Sequence, residues 1–109
     1  MAFDIVSDVL IPEKEFQTAV MKKLRLIPKT WWQKLNDRVT SGLPDIVGSC
    51  AGLFVAIELK TKSKVTPIQA FTLRKIGQTG AYSFVVTPDN WAEVYSFMLE
   101  LASTNNQAP

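Results

Sequence analysis

Two apolar runs near the middle of the 109-residue chain limit its fold more than any other feature. The first run spans residues 44–49 and the second spans residues 53–60, and only three residues, Cys50 to Gly52, separate them. Strand-like runs joined by so short a segment predict an antiparallel β-hairpin. The chain is therefore expected to build its core around a β-sheet.

The loop length determines how the two strands of this hairpin pair. If the loop has two residues, Cys50 faces Leu53, and Asp45 falls directly opposite Glu58. Opposed side chains lie on one face of the sheet with Cβ atoms roughly 4.5 to 5.5 Å apart. A four-residue loop keeps this parity, whereas a three-residue loop or a bulge breaks it. The two-residue loop thus predicts two adjacent carboxylates.

The second strand adds a lysine beside these carboxylates. Side chains alternate along a strand, so Lys60 shares the face of Glu58 and Asp45. Neighbouring ionised carboxylates repel each other, and a half-buried setting raises that cost unless a cation lies between them. Mg²⁺ or Mn²⁺ binds oxygen ligands, lowers the pKa of a bound water and neutralises charge on a phosphodiester. The alternative is an ordinary exposed Glu-Lys pair on an edge strand, with Asp45 closing the turn after Pro44.

The rest of the chain predicts three helices and two further strands in a single domain. The helices are expected at residues 12–26, 67–78 and 90–101, and the strands at residues 30–35 and 81–86. The expected core positions of the helices are Phe16, Val20 and Leu24, then Ile68, Phe71, Leu73 and Ile76, then Trp91, Val94, Phe97, Met98 and Leu101. Asp89 is the expected cap of the last helix. Residues 1–11 are expected to form an N-terminal extension and residues 103–109 a frayed tail, within one domain of the α/β mixed-sheet class.

Charge is distributed unevenly along the chain. The formal net charge is +2, yet all twelve basic residues lie between Lys14 and Lys75, where only four acidic residues occur, so this segment carries +8. Three acidic residues lie on each side of it. A basic middle is a candidate polyanion-binding face, and a solvated Lys-rich surface is the alternative.

Missing residue types exclude several kinds of chemistry. The chain has no histidine and only one cysteine, Cys50, so a Ser-His triad, a disulfide framework and a Cys-rich zinc site are excluded. Carboxylates, lysines and hydroxyls remain for any catalysis. No apolar run approaches the roughly 18 residues of a membrane span, and the N-terminus lacks the basic start of a signal peptide. We therefore expect a cytoplasmic protein with no membrane partner.

Several motifs occur in a characteristic order. Residues 41–45 read SGLPD, and thirteen residues after the Asp the chain reads ELK, at the end of an apolar strand. The helix start EKEF at 13–16, the strand that approaches Glu58, TPIQ at 66–69 and Gly80 follow the same order. Over about residues 13 to 98 this pattern resembles the PD-(D/E)XK nuclease superfamily, and within it the VRR-NUC branch of small virus-type replication and repair nucleases. The resemblance implies a restriction-endonuclease-like αβββαβα core.

The resemblance also implies a role for each residue of the central motif. Asp45 and Glu58 would be the two metal-binding carboxylates, and Leu59 would offer its backbone carbonyl to the same Mg²⁺ or Mn²⁺ ion. Lys60 would be the catalytic lysine.

Two helical residues complete the implied site. Glu13 would bind the metal directly or through water; Glu15 competes for this role, but Glu13 shares the inward stripe of its helix. For either acid, the alternative is a carboxylate favoured by the helix dipole. Gln69 resembles the glutamine that the family places beside the site, although Thr66, Pro67 and Gln69 also form the pattern of a capping box, and one residue can serve both purposes.

The implied activity is hydrolysis of phosphodiester bonds in DNA by a metal-dependent endonuclease. Small relatives, often from phages, resemble structure-specific enzymes that cut Holliday junctions or other branched DNA, and a homodimer would bring two sites to two strands. Trp31 and Trp32 would either stack on bases or belong to the core or an interface. The alternatives are a nuclease for linear, nicked or flap DNA, and a non-catalytic DNA-binding or interaction module of nuclease fold.

Overall fold

A mixed sheet with helices on both faces forms the body of the protein. The computed structural model describes residues 12–35 and 41–104. In chain order the elements are α1 (Glu13–Leu24), β1 (Thr30–Lys34), β2 (Ile46–Cys50), β3 (Leu53–Leu59), α2 (Pro67–Gln78), β4 (Tyr82–Val86) and α3 (Trp91–Thr104). The order αβββαβα and the mixed α/β class confirm the predicted fold class. The predicted extension at 1–11 lies outside the described residues.

The strands lie side by side in chain order, β1-β2-β3-β4. The first two pairings are antiparallel, and β4 runs parallel to β3, because α2 carries the chain back across the sheet. Cys50 pairs with Leu53, and Ile46 pairs with Ile57, as the two-residue loop requires. The predicted register is therefore confirmed.

The tight turn of this hairpin uses left-handed backbone at both of its central residues. Ala51 has φ 52° and Gly52 has φ 86°, the combination found in turns whose twist matches that of paired strands. Glycine adopts such angles freely, whereas an alanine in this region is strained by its Cβ. The turn therefore fixes the register at some cost in backbone energy at Ala51.

The helices cover the sheet in two layers. Helices α1 and α3 share one core with the sheet, and the predicted stripe of Phe16, Val20 and Leu24 is buried there. Helix α2 lies on the other face, where the Ser83 hydroxyl donates to the Leu73 carbonyl oxygen over 2.9 Å. Residues 55–59 of β3 are consequently buried on both faces. Glu58 is among these buried residues.

Trp32 and Trp31 have opposite environments on β1. Trp32 is buried and Trp31 is 61% exposed. Gly48 pairs with Trp32, and a Cβ at this glycine would lie 2.2 Å from the Trp31 carbonyl oxygen and 2.4 Å from the Trp32 ring. The absence of a side chain on Gly48 thus makes room for the Trp32 indole, which belongs to the core.

Two of the predicted helical faces are partly wrong. On α2 only Leu73 is buried, whereas Ile68 and Phe71 are about half exposed, because α2 meets the sheet over a narrow stripe. On α3, Phe97 is 38% exposed, and Ala102 is fully buried instead. Ala102 was missed because the apolar pattern was drawn from large side chains, and alanine is small.

The ends of α3 also differ from expectation. Asp89 is exposed, and the start of the helix is organised by Asn90, whose side-chain oxygen accepts from the Thr87 backbone N–H over 2.8 Å. At the other end the helix continues to Thr104, since the hydroxyls of Ser103 and Thr104 both donate to the Glu100 carbonyl oxygen. The predicted tail therefore begins at least two residues too early, and 105–109 lie outside the described residues.

None of the described helices is both long enough and apolar enough to span a bilayer.

Candidate active site

Asp45 is held at the end of the hairpin by both neighbouring strands. Its backbone oxygen accepts from the Leu35 N–H over 2.8 Å, and its side-chain oxygen Oδ2 accepts from the Leu59 N–H over 2.8 Å. The carboxylate is therefore fixed beside the last residues of β3 by a charge-assisted hydrogen bond to the backbone. Its other oxygen, Oδ1, has no hydrogen bond within the described part of the chain.

The proline before Asp45 shapes the backbone opposite it. Continuing the β2–β3 register one pair beyond Asp45 and Glu58 places Pro44 opposite Leu59. In a ladder, the N–H and C=O of one residue point toward the same strand. Proline has no N–H to donate, so Pro44 leaves the Leu59 carbonyl without the ladder partner that another residue would supply. The Leu59 carbonyl is thus directed to the side where Asp45 lies.

Gly42 packs closely against α2. It has φ 84°, and a Cβ on it would lie 2.8 Å from Ile68 Cγ1 and 3.0 Å from the Ile68 carbonyl oxygen. Both the backbone angle and the close approach therefore require glycine. The SGLPD segment is in this way held between α2 and the sheet, which gives Asp45 a fixed position.

Glu58 is the only polar or charged residue that is buried in the described part of the protein, with 2% of its surface exposed. The Lys60 ammonium nitrogen Nζ lies 3.4 Å from its oxygen Oε2. The second oxygen, Oε1, is buried and has no hydrogen-bond partner. Buried carboxylate oxygens are rarely left without a partner, because the loss of hydration is then not compensated.

The pKa of Glu58 reflects this environment. Burial raises it, the negative charge of Asp45 raises it further, Lys60 lowers it, and Glu13 raises it, to about 7. The lysine thus offsets only part of the burial and repulsion. Repulsion between the two carboxylates, which the sequence predicted, is therefore not fully compensated by Lys60.

Glu13 and Glu15 differ in their relation to this site. Both are exposed in the first turn of α1, but only the negative charge of Glu13 contributes to the raised pKa of Glu58. Within the described residues, no three acidic, histidine or cysteine side chains lie close enough together to hold a metal by themselves. Direct ligation by Glu13 is therefore not supported by its position, and its predicted contact through water stays a prediction.

Gln69 occupies the capping position that was its alternative role. Its Oε1 accepts from the Thr66 N–H over 3.0 Å, and the Thr66 hydroxyl oxygen accepts from the Gln69 N–H over 3.2 Å. This is a complete capping box at the start of α2. No hydrogen bond joins Gln69 to Asp45 or Glu58 among the described residues, so its predicted role beside the site stays a prediction.

The amide of Leu59 is a functional group that the sequence did not identify. Leu59 was predicted to contribute a carbonyl, but its N–H is the group that fixes Asp45. The next amide, of Lys60, donates to the Val86 carbonyl oxygen over 3.0 Å and anchors the lysine backbone to β4. Pro44 signals only the free Leu59 carbonyl, because proline lacks an N–H but keeps its own carbonyl. Nothing in the sequence signalled the bond from the Leu59 N–H to Asp45.

Searches against protein-family models, curated proteins and solved structures find no match for this chain.

Proposed function

We propose that this protein is a divalent-metal-dependent deoxyribonuclease that hydrolyses phosphodiester bonds. The observation that carries the proposal is the buried Glu58 oxygen without a partner, beside a fixed Asp45 carboxylate and a lysine. Two carboxylates face one ammonium group, so the ionised site lacks at least one positive charge. A structural ion pair alone gives no reason for this deficit.

The donor set suits Mg²⁺ or Mn²⁺. Mg²⁺ is commonly held by one or two carboxylates while it keeps several waters, and this site offers Asp45 Oδ1, Glu58 Oε1 and the Leu59 carbonyl. When bound, such an ion supplies charge neutralisation at the phosphate and a water of lowered pKa. With no His and one buried Cys in the chain, softer metals have few suitable ligands.

The protein groups have separate tasks in the proposed reaction. Asp45 and Glu58 bind the ion, and the Leu59 amide keeps Asp45 oriented. The Lys60 side chain is 11% exposed at the edge of the site, and its ammonium group would stabilise the negative charge that develops on the phosphate oxygens as water attacks. Glu13 assists through water from the start of α1.

Branched DNA is the proposed substrate and a homodimer is the proposed assembly. The +8 segment between Lys14 and Lys75 surrounds the carboxylates in sequence and supplies the positive surface that a DNA backbone requires. A 12.2 kDa chain with one site can cut two strands if a two-fold axis relates two copies. Substrate choice and oligomeric state are both part of the test.

The test is a panel of a four-way junction, a flap, a nicked duplex and a linear duplex, each incubated with Mg²⁺ or Mn²⁺. We expect cleavage of the junction that is lost in Asp45→Asn and Lys60→Met while DNA binding persists. The matched pair Glu13→Gln and Glu15→Gln removes the same charge at two positions that lie two residues apart along the chain. Only the first should lower the cleavage rate.

Other results would favour the alternatives. Cleavage that survives both Asp45→Asn and Lys60→Met would place the chemistry elsewhere or in a contaminant. Cleavage of the linear, nicked or flap substrate in preference to the junction would identify a nuclease of that specificity. DNA binding without cleavage under any condition would identify a binding module of nuclease fold.

A further inference from the structure

A basic cleft lies between α1 and β1, separate from the two carboxylates. Its volume is about 500 Å³. It is lined by Thr18, Met21, Lys22, Arg25 and Lys34. The volume lies within the range of about 300 to 1,000 Å³ that is typical of ligand sites.

Among residues 12–35 and 41–104, the side chains that line this cleft include three cations and no carboxylate. Its three cations come from two different elements, and none of them forms an ion pair with another residue of the described chain. The negative end of the α1 dipole favours Lys22 and Arg25, but it does not explain why Lys34 reaches the same space from a strand. Such convergence of like charges without a counter-charge favours an anionic ligand.

Two neighbouring groups, the Lys23 ammonium and the Thr18 hydroxyl, have contacts elsewhere, so only the three cations of the cleft are left to bind a ligand. Lys23 lies over the Tyr95 ring, 5.0 Å from the ring centroid, and so points away from the cleft. The Thr18 hydroxyl donates to the Lys14 carbonyl oxygen and has no second proton to donate. A ligand would therefore be held by charge, with Met21 as an apolar floor.

One wall of the cleft, Lys34, lies at the same end of the sheet as the carboxylates. Lys34 pairs with Ile46, and the next residue, Leu35, donates to the Asp45 backbone oxygen. Lys34 is two strands from β3, which corresponds to about 10 Å. Along α1, Lys22 lies about 14 Å from Glu13. These separations correspond to a few nucleotides of a polynucleotide, whose charges recur about every 3.4 Å along the duplex axis on each strand.

We propose that this cleft binds the phosphodiester backbone of a polynucleotide, a few nucleotides away from the bond that is cut. The inference rests on the proposed function for its ligand, but it concerns residues outside the carboxylate site. Contacts from Lys22, Arg25 and Lys34 to the phosphates would bind one DNA arm whatever its base sequence. The cleft thereby sets where along that arm the scissile phosphate lies.

The decisive experiment compares two double variants that lose the same charges. Lys22→Gln with Arg25→Gln removes two cations from the cleft, whereas Arg74→Gln with Lys75→Gln removes two exposed cations from α2. Binding of a fluorescein-labelled duplex and a labelled four-way junction is measured by anisotropy in EDTA over a series of salt concentrations. EDTA prevents metal-dependent cleavage, so binding is measured apart from catalysis.

A plot of log affinity against log salt has a negative slope. In the cleft variant this slope should be less steep by about 2, because each lost phosphate contact reduces its magnitude by about 0.9. Affinity in 0.1 M salt should fall roughly tenfold or more. Lys34→Gln alone, on a different element, should lower the steepness of the slope by about 1. The α2 variant removes the same charge from the same basic segment, but its two residues line no cleft, so it should lower the steepness of the slope by less than half as much as the cleft variant. Thermal unfolding of each variant checks that the fold is retained.

Equal losses in the two double variants would overturn the proposal, because they would show a diffuse effect of net charge. Unchanged binding in the cleft variant, or no DNA binding by the unchanged protein, would overturn it as well. Inorganic pyrophosphate provides a further arm: saturable binding that the cleft variant loses, with unchanged DNA binding, would identify a site for a small phosphate. Cleavage assays remain separate, so a protein that binds DNA through the cleft without cutting it would refute only the proposed catalysis.

Discussion

Replacing Glu58 with glutamine should stabilise the metal-free protein at alkaline pH. Glu58 has a pKa of about 7 in the folded protein, against 4.5 for the free side chain, and burial is the largest cause. Between these two values the folded state binds more protons than the unfolded state, so stability falls as the pH rises. Below the unfolded pKa this loss is absent, and above the folded pKa it is complete.

The size of the effect follows from the two pKa values. A shift from 4.5 to about 7 corresponds to about 3 kcal/mol in total. Between pH 5 and pH 8 the unchanged protein should lose about 2 to 3 kcal/mol of its free energy of unfolding. This is a large share of the roughly 5 to 15 kcal/mol that stabilises a typical domain. Glu58→Gln cannot ionise and should not show this loss.

Urea denaturation in EDTA from pH 5 to pH 8 measures the difference. The chain has no histidine, so side chains with ordinary pKa values contribute little over this range. Glu100→Gln, an exposed acid on α3, is the matched control and should follow the unchanged protein. Adding Mn²⁺ at pH 8 should stabilise the unchanged protein, by about 2.7 kcal/mol at a hundred times Kd. The glutamine variant should gain little.

A free energy of unfolding that stays constant or rises from pH 5 to pH 8 in the unchanged protein would refute this reasoning. So would parallel curves for the unchanged protein and Glu58→Gln. Either result would mean that Glu58 is hydrated or paired in solution. The two carboxylates would then need no cation between them.

Three other predictions concern the metal and the backbone. The affinity for Mn²⁺, measured by calorimetry, should rise about tenfold from pH 6 to pH 8 as Glu58 loses its proton, and a flat profile would contradict the assigned ligand. Gly48→Ala should lower stability by about 3 kcal/mol, because its Cβ would lie 2.2 Å from a backbone oxygen. Gly77→Ala is its control, meets nothing closer than 3.5 Å, and should raise stability by up to about 1 kcal/mol. Ala51→Asn should raise stability by about 0.5 to 1 kcal/mol in urea denaturation, because asparagine tolerates the left-handed backbone at φ 52°; a loss of stability would show that Ala51 is not strained.

Features that depend on neighbours in sequence were predictable. The register of the hairpin followed from a two-residue loop, and it placed Asp45 beside Glu58, as the charge effect of Asp45 on Glu58 and its bond to the Leu59 N–H bear out. The capping box at Thr66 and Gln69 was recognisable for the same reason, since its hydrogen bonds span three residues.

Features that depend on distant packing were not predictable to the same degree. Periodicity placed Ile68 and Phe71 of α2 in the core, yet both are about half exposed. A pattern shows which residues are apolar, but the width of the face that meets the sheet depends on the partner surface. On α3, the burial of Ala102 in place of Phe97 has the same origin.

The amino-acid sequence by itself determined the order of the elements, the pairing of β2 with β3, and the position of Asp45, Glu58 and Lys60 on one face. These properties follow from loop length and from the alternation of side chains along a strand. Only the tertiary structure decided that Glu58 is buried rather than exposed, because α2, the element that follows β3, packs back across that face. It also decided that Lys34 meets the cations of α1. Burial and convergence are sums over contacts between remote segments, and no local pattern contains them.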